Sequence, residues 1–292
     1  MYDDNIYCSR CPVCNHSQLT QIYQFKNFCV MKCKKCKNSW RTNMYDQEKI
    51  SSIYRSDEYA KDPFFLYEKN HVENLTKKRY KNFHRGLVNI ESKTGVGKLL
   101  DVGCGSGAFL SIAQERGWHV DGIELSSSLA QICEQNVNIT VTNTSFEEAN
   151  LPTNYYDAIT FWDIIEHVID PVFCMKKAKT LLKSGGVMLF CTPNEDSLLA
   201  GVAWTLYKLS SSYYSYPALA LHPDYHTYFF SRQGLIKTLL EINMKPIKSY
   251  SQEAFFEHSP LASEIQKRVI ALIEKVGSIF DYSYELVILA EI

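Results

Sequence analysis

Nowhere in the 292 residues does an apolar run approach the roughly 18 residues that a bilayer-spanning helix needs. The opening MYDDNIYCSR lacks the basic-then-apolar layout of a secretory signal, so a cytoplasmic location is expected. An excess of one charge is also missing. Lys and Arg number 31 against 32 Asp and Glu, and a net charge of -1 supplies no global field to gather nucleic acid. Lys32, Lys34, Lys35 and Lys37 are a local basic cluster within that balance. No internal repeat and no low-complexity tract is present. A disulfide framework is not expected either, because the ten cysteines sit in a chain that is neither short nor marked for export.

What is present is the composition of a soluble globular protein, with 46% hydrophobic and 22% charged residues. The length suits a main domain with a smaller module. Cys11-Pro-Val-Cys14 and Cys33-Lys-Lys-Cys36 are two C-x2-C pairs at zinc-ribbon spacing. Each pair can set two thiolates on one tight turn, and two turns joined by a hairpin supply four sulfurs for a tetrahedral structural zinc. The intervening QIYQFKNFCVMKC alternates enough to be strand. Cys8, Cys29 and His16 lie near enough to substitute as ligands, whereas Cys104, Cys133, Cys174 and Cys191 sit in apolar runs and read as core.

From Gly97 the chain reads GKLLDVGCGSGAFLSIAQERGWHVDGIELS, a β-α-β unit with a strand over 98–102, a helix over 108–116 and a strand over 118–124. Gly103, Gly105 and Gly107 let the backbone approach a nucleotide-type ligand at a helix N-terminus. Gly103, Gly105 and Ala108 also satisfy the pattern of NAD-type dinucleotide binders. Asp101 favours a cofactor with an ammonium group over one with a pyrophosphate. Glu124 can accept the two ribose hydroxyls of either.

LLDVGCGSG resembles the first motif of the class I S-adenosylmethionine-dependent methyltransferases, and GIELS resembles their second-strand acidic motif. SFEEANLPTNYYDAITFWDIIEHVIDP is similar to the fourth-strand segment of the ubiquinone-biosynthesis-like branch. The resemblance covers about residues 95 to 250. It implies an α/β fold, a doubly wound seven-stranded Rossmann-like sheet in the order 3-2-1-4-5-7-6, with YELVILAEI as the antiparallel last strand. It also implies an S-adenosyl-L-methionine site made of Asp101, Gly103, Cys104, Gly105, Gly107, Glu124, Leu125, Ser145, Phe146, Trp162 and Asp163. The expected organisation is a zinc-ribbon-like module (1–44), a helical linker or lid (45–94) in which Tyr54 and Tyr59 match a stretch that covers the cofactor, and a methyltransferase domain (95–292).

Methyl transfer is an in-line displacement that needs an aligned acceptor and, for an oxygen acceptor, a base. Asp163, Glu166 and His167 follow the fourth strand, and a helix from Asp163 would put them on one face. His167 is then a base, a structural donor, or a partner of Asp163 and Glu166 in a divalent-metal set resembling the E-x-x-E-H of ubiquinone O-methyltransferases. His226 opens an H-x-x-x-F-S segment that the branch places on the substrate side, with His222 and Tyr225 close by; alternatively it stabilises a loop while Ser231 caps a helix. The catalytic candidates are therefore His167, Asp163 and His226. Residues 197–217 are apolar and aromatic enough for a substrate lid or for a patch resting on a membrane or partner subunit.

Ribbon, linker and core together resemble bacterial enzymes that decorate glycans, lipids and secondary metabolites. Deoxysugar C-methyltransferases share the front half but carry a further domain, so O-methylation of a small-molecule, sugar or lipid-linked acceptor is expected. An rRNA methyltransferase that sets the ribbon lysines against phosphate, an NAD-type enzyme and a binding-only protein are the alternatives. Oligomeric state is not written in the sequence.

Overall fold

Central strands of a parallel sheet are buried on both faces and so read as continuous apolar runs. β4 (Lys98–Val102), β7 (Tyr156–Trp162) and β8 (Leu182–Pro193) have this character. In the computed structural model, which describes residues 9–44, 49, 52–54, 75–223, 225–254 and 263–292, these strands form the middle of a seven-stranded sheet. Its flanks are β5 (His119–Ile123) and β6 (Val141–Thr142) on one side, and β11 (Glu285–Glu291) and β10 (Lys245–Gln252) on the other. The strand order is β10-β11-β8-β7-β4-β5-β6, with β11 antiparallel to both of its neighbours. Counted along this sheet alone, that is the expected 3-2-1-4-5-7-6.

Strand side chains alternate between two cores. Leu99, Ala158, Leu189 and Val287 face α1 (Lys77–Thr94) and α2 (Ala108–Glu115), while Leu100, Ile159, Phe190 and Ile288 face α4 (Pro171–Leu181) and α7 (Arg232–Glu241). The sheet is thus covered by helices on both sides, the doubly wound arrangement. α3 (Ser127–Val137) packs beside α2. The β-α-β unit falls within one residue of its expected bounds.

A second, four-stranded sheet runs β1 (Leu19–Gln24), β2 (Cys29–Cys33), β3 (Ser39–Arg41) and β9 (Tyr228–Phe229). β1 and β2 form the expected antiparallel hairpin. The fourth strand comes from far along the chain, pairing Trp40 with Tyr228 and Ser39 with Phe229. Residues 197–217 supply α5 (Leu198–Leu209) and lead into α6 (Tyr216–Leu221). These helices rest on the hairpin, where Tyr23, Phe25 and Phe28 bury themselves with Ala203, Tyr207 and Ala218. The Gln24 amide donates to the Tyr207 hydroxyl at 2.9 Å. α8 (Glu264–Ile279) packs against α5.

The helix expected from Asp163 does not form. Residues 163–170 are turn and bend, and α4 starts only at Pro171 with Asp170 as its N-cap. Two features explain this. Asp163 is held at φ 55°, outside the right-handed helical region. Pro171 disfavours helix in the residue before it and suits the first helical position.

α1 begins at Thr76, whose side chain accepts from the Arg79 amide, and ends at Gly95 with φ 68°. Glu91 on its last turn receives Arg116 Nε at 2.8 Å and Trp118 Nε1 at 3.2 Å, and pairs with the second Arg116 nitrogen as well. This bidentate contact holds the Glu91 carboxyl below the usual carboxylate range. A depressed folded pKa contributes stability above the unfolded pKa and loses it as pH falls through the folded value. Glu91→Gln should therefore cost about 1 kcal/mol near neutral pH. In urea unfolding the gap to wild type should narrow below a pH of about 4.

Candidate functional site

Ligands of open α/β sheets bind beyond the carboxyl ends of the parallel strands. The loop after β4 carries Gly103 at φ 73°, Gly105 at φ 55° and Gly107 at φ 85°. A Cβ on Gly103 would lie 2.1 Å from Ile164 Cδ1, so both conformation and space require glycine there. Gly107 is the N-cap of α2 and makes no side-chain cap, which leaves the helix N-terminus to a ligand. Glu124 at the end of β5 reaches back to this loop: Oε2 accepts the Gly105 amide at 2.9 Å and Oε1 the Ser126 amide at 2.8 Å. Burial pushes its pKa up, opposed by these amides. Asp101, buried at the end of β4, accepts the Thr160 hydroxyl at 2.6 Å.

The other expected cofactor residues divide by which atoms they can offer. Cys104 turns its thiol into the core, 3.7 Å from Cys133, so its main chain alone lies on the loop. Leu125 is half-buried beside Glu124, where Asn143 Nδ2 bonds the carbonyls of both residues. Ser145 and Phe146 sit in the loop after β6, Phe146 edge-on to Phe161. Trp162 packs edge-on against Phe83 and inclined against Phe109, directly over Gly86, where a Cβ would come within 2.8 Å of the indole. Its side chain is core at 5% exposure.

Beyond β7 the side chains separate. Asp163 accepts Arg79 at 2.9 Å, and Arg79 lies 3.6 Å from Glu285. Glu166 Oε2 accepts the Thr192 hydroxyl at 2.9 Å. His167 Nδ1 donates to the Tyr225 carbonyl at 3.0 Å, which leaves the Nε2 lone pair directed elsewhere. Glu166, His167 and His226 each offer one ligand atom, all within 4.8 Å of one another. Among the described residues, Glu166 Oε1 and His226 Nδ1 are buried without a hydrogen-bond partner. Burial pulls His167 down to about 4 and His226 well below its ordinary value, so both imidazoles are neutral. Burial, with Asp163 adding to it, pushes the Glu166 carboxyl well up. The expected Asp163/Glu166/His167 set is therefore rearranged: Asp163 is engaged by Arg79, and His226 stands in its place.

Tyr54 sets its ring against His167 at 5.9 Å and Tyr225 stacks on it at 5.8 Å, while Tyr59 lies outside the described residues. His222 does not join the cluster; it is enclosed by Tyr23 and Phe229, with Nδ1 donating to the Ala218 carbonyl. Ser231 caps α7 as expected, accepting the Gly234 amide. Arg79 was not singled out from the sequence, where it stands among Lys77, Lys78 and Lys81. Its spacing from Phe83, Leu87 and Ile90 does put it on the buried stripe of α1.

Cys11, Cys14, Cys33 and Cys36 converge, with sulfurs 3.5 Å apart for Cys11 and Cys36 and 3.6 Å for Cys14 and Cys33. A tetrahedron of zinc–sulfur bonds about 2.3 Å long has edges of about 3.8 Å, so the donors fit that ion. A disulfide would need sulfurs about 2.0 Å apart. The two knuckles close through Asn15 to Cys11 and Lys37 to Cys33 backbone bonds, with Asn15 and Lys37 both at positive φ. Cys29 and His16 stay outside the cluster, and Cys8 lies outside the described residues. Cys104, Cys133, Cys174 and Cys191 are all buried in the core.

Sheet order, glycine loop and acidic strand ends together define an S-adenosylmethionine-dependent methyltransferase. A family model described as a methyltransferase domain matches residues 72–248, and the chain belongs to that family. The ubiquinone biosynthesis O-methyltransferase of Coxiella burnetii is 28% identical over 162 residues, covering 52% of this chain and 69% of that protein. The protein of the same name from Saccharophagus degradans is 35% identical over 106 residues, which span 34% of this chain and 44% of its own length. A crystal structure of a methyltransferase dependent on S-adenosylmethionine from Archaeoglobus fulgidus shares the fold, with a TM-score of 0.53 and 23% identity over 79% of this chain and all of that one.

Gly103→Ala forces a side chain into Ile164 at a left-handed backbone position. It should cost about 1 to 3 kcal/mol in thermal or urea unfolding. Calorimetric titration should show weakened S-adenosylmethionine binding, because the loop must shift to relieve the contact.

Proposed function

We propose that this methyltransferase acts on a hydroxyl group of a small-molecule acceptor, with His167 as the base. The observation that carries the reading is the mostly buried cluster of Glu166, His167 and His226 at the carboxyl edge, in which His167 is neutral and, with Nδ1 donating to the Tyr225 carbonyl, keeps a free lone pair on Nε2. The name of the Coxiella burnetii relative, an O-methyltransferase, points the same way. Sulfur and soft carbon acceptors have less need of such a group, whereas an alcohol or phenol must lose a proton as it attacks.

Bound S-adenosylmethionine supplies an activated methyl on a sulfonium. In this reading Asp101 attracts its ammonium group, and the amides around Gly103, Cys104, Gly105 and Gly107 line its path. Glu124 takes the ribose hydroxyls through acceptor positions not used by the backbone amides around it; an ionised carboxylate offers about four. Leu125, Ser145 and Phe146 border the adenine. Asp163, oriented by Arg79, borders the methionine end beside the main chain of Trp162. The Tyr225 carbonyl fixes the His167 tautomer so that Nε2 receives the acceptor's proton while the acceptor oxygen takes the methyl carbon and the carbon–sulfur bond breaks.

A second reading is favoured by the same three atoms. One ligand atom from each of Glu166, His167 and His226 would suit a divalent cation that lowers the acceptor's pKa. We further read Cys11, Cys14, Cys33 and Cys36 as a closed structural zinc site. The organisation is then a ribbon (1–44), a connecting segment (45–94) and the catalytic domain (95–292), which lends β9 to the ribbon.

A methyl-label transfer screen over phenolic, sugar and lipid-linked acceptors tests the reaction. His167→Ala should lower kcat about 10²- to 10⁴-fold with S-adenosylmethionine affinity kept, and wild-type turnover in that variant would remove His167 from the chemistry. Loss of turnover in EDTA, restored by magnesium or manganese, would favour the cation. Metal analysis of purified protein should find one zinc per chain, lost in Cys33→Ser together with several degrees of melting temperature.

A further inference from the structure

The exposed side of α1 next to β10 carries Lys77, Lys81 and Arg85, three exposed cations four residues apart. They line an open groove of about 820 Å³. Its other wall is Ser251, Gln252 and Glu253 at the end of β10, with Ser278 and Asp281 at the end of α8. Both acidic residues of that wall are already matched. Glu253 lies 3.1 Å from Lys78, and Asp281 is bound by Arg232 and by the Ser251 amide and hydroxyl. Lys77, Lys81 and Arg85 have no acidic partner among the described residues. Arg85 is held in place instead by the Tyr250 ring, 3.6 Å below its guanidinium.

The groove also takes in Thr76, the N-cap of this 18-residue helix, whose first turn contains no acidic side chain. The positive end of the helix dipole therefore adds to the row of cations. From Lys77 to Arg85 the helix advances about 12 Å. One carboxylate or phosphate could meet only part of such a row; a diphosphate with a group on each side could meet all of it.

The groove backs onto the reaction edge. Asn82 in its floor donates to Glu285 at 3.3 Å, and Gln252 in its wall donates to the same carboxylate at 2.8 Å. Glu285 faces Arg79, which holds Asp163. We propose that the groove binds a diphosphate group carried by the methyl acceptor, as a nucleotide-linked or lipid-linked sugar would present it. The assignment of an acceptor here rests on the small-molecule reading above; the anion site itself does not.

Calorimetric titration of the full chain with inorganic pyrophosphate, in the presence of S-adenosylmethionine, tests the site without any turnover. Wild type should bind, and Lys77→Gln/Lys81→Gln/Arg85→Gln should bind about tenfold or more weakly. Unchanged S-adenosylmethionine affinity in that variant would show that it is folded. The charge-keeping Lys81→Arg should retain pyrophosphate. Uridine diphosphate and a short prenyl diphosphate, used as competitors, separate the two sources of the group. Absence of pyrophosphate binding, or equal binding in the triple variant, would overturn the proposal. The methyl acceptor reading fails separately, through full turnover of His167→Ala with pyrophosphate binding intact.

Discussion

Glu166 fastens two sheets to each other at one residue. Its carbonyl accepts the amides of Thr227 at 2.8 Å and Tyr228 at 3.1 Å, on the segment entering β9, while its carboxyl takes Thr192 at the end of β8. β9 is the fourth strand of the ribbon, so the cysteine knuckles, His226 and the reaction edge share one rigid connection. Asn38 strengthens it, reaching Thr238 on α7 at 2.9 Å, and Ser231 bonds the Lys37 carbonyl. Burial holds the Glu166 carboxyl well above the usual carboxylate range, so the junction is made by a group that tends to keep its proton.

The same edge is short of positive charge. Asp101, Glu124, Glu166 and Glu285 are each buried to 6% exposure or less, and Asp163 stands beside them. Among the described residues Arg79 is the cation placed beside them, bonded to Asp163 and close to Glu285. Burial and the Asp163 charge still hold Glu285 up at about 7 in spite of Arg79. A ligand bearing a sulfonium and an ammonium relieves this imbalance, whereas a pyrophosphate would deepen it. The preference that Asp101 suggested from sequence is thus a property of the whole strand edge, and cofactor binding should stabilise the folded chain by mass action.

Strong local signals are legible in the sequence. DVGCGSG fixed a strand, a loop of left-handed glycines and a helix, because those backbone angles admit few residues. The paired cysteines fixed two knuckles because metal spacing is a short-range property. Three features were not readable in this way. β9 is two residues long, and its place in the ribbon depends on a partner almost 190 residues earlier. A helix from Asp163 would set the trio on one face, but the positive φ of Asp163 and the proline at 171 keep the segment a turn, so sequence spacing does not say which side chains meet. His226 joined Glu166 and His167 through the tertiary connection at Glu166, which no local pattern encodes.

α1 shows how one element can serve both the fold and the site when its faces differ. Its inner stripe buries Phe83, Leu87 and Ile90, and Gly86 is bare because the Trp162 indole occupies the space of a side chain. At its start Arg79 enters the reaction edge, and at its end Glu91 is clamped by Arg116 and Trp118. The two anchors fix both the axial position and the rotation of the helix. With rotation fixed by Trp162 against Gly86, the outer face has no freedom to turn its lysines elsewhere, so whatever keeps Arg79 on Asp163 also keeps Lys77, Lys81 and Arg85 along the groove.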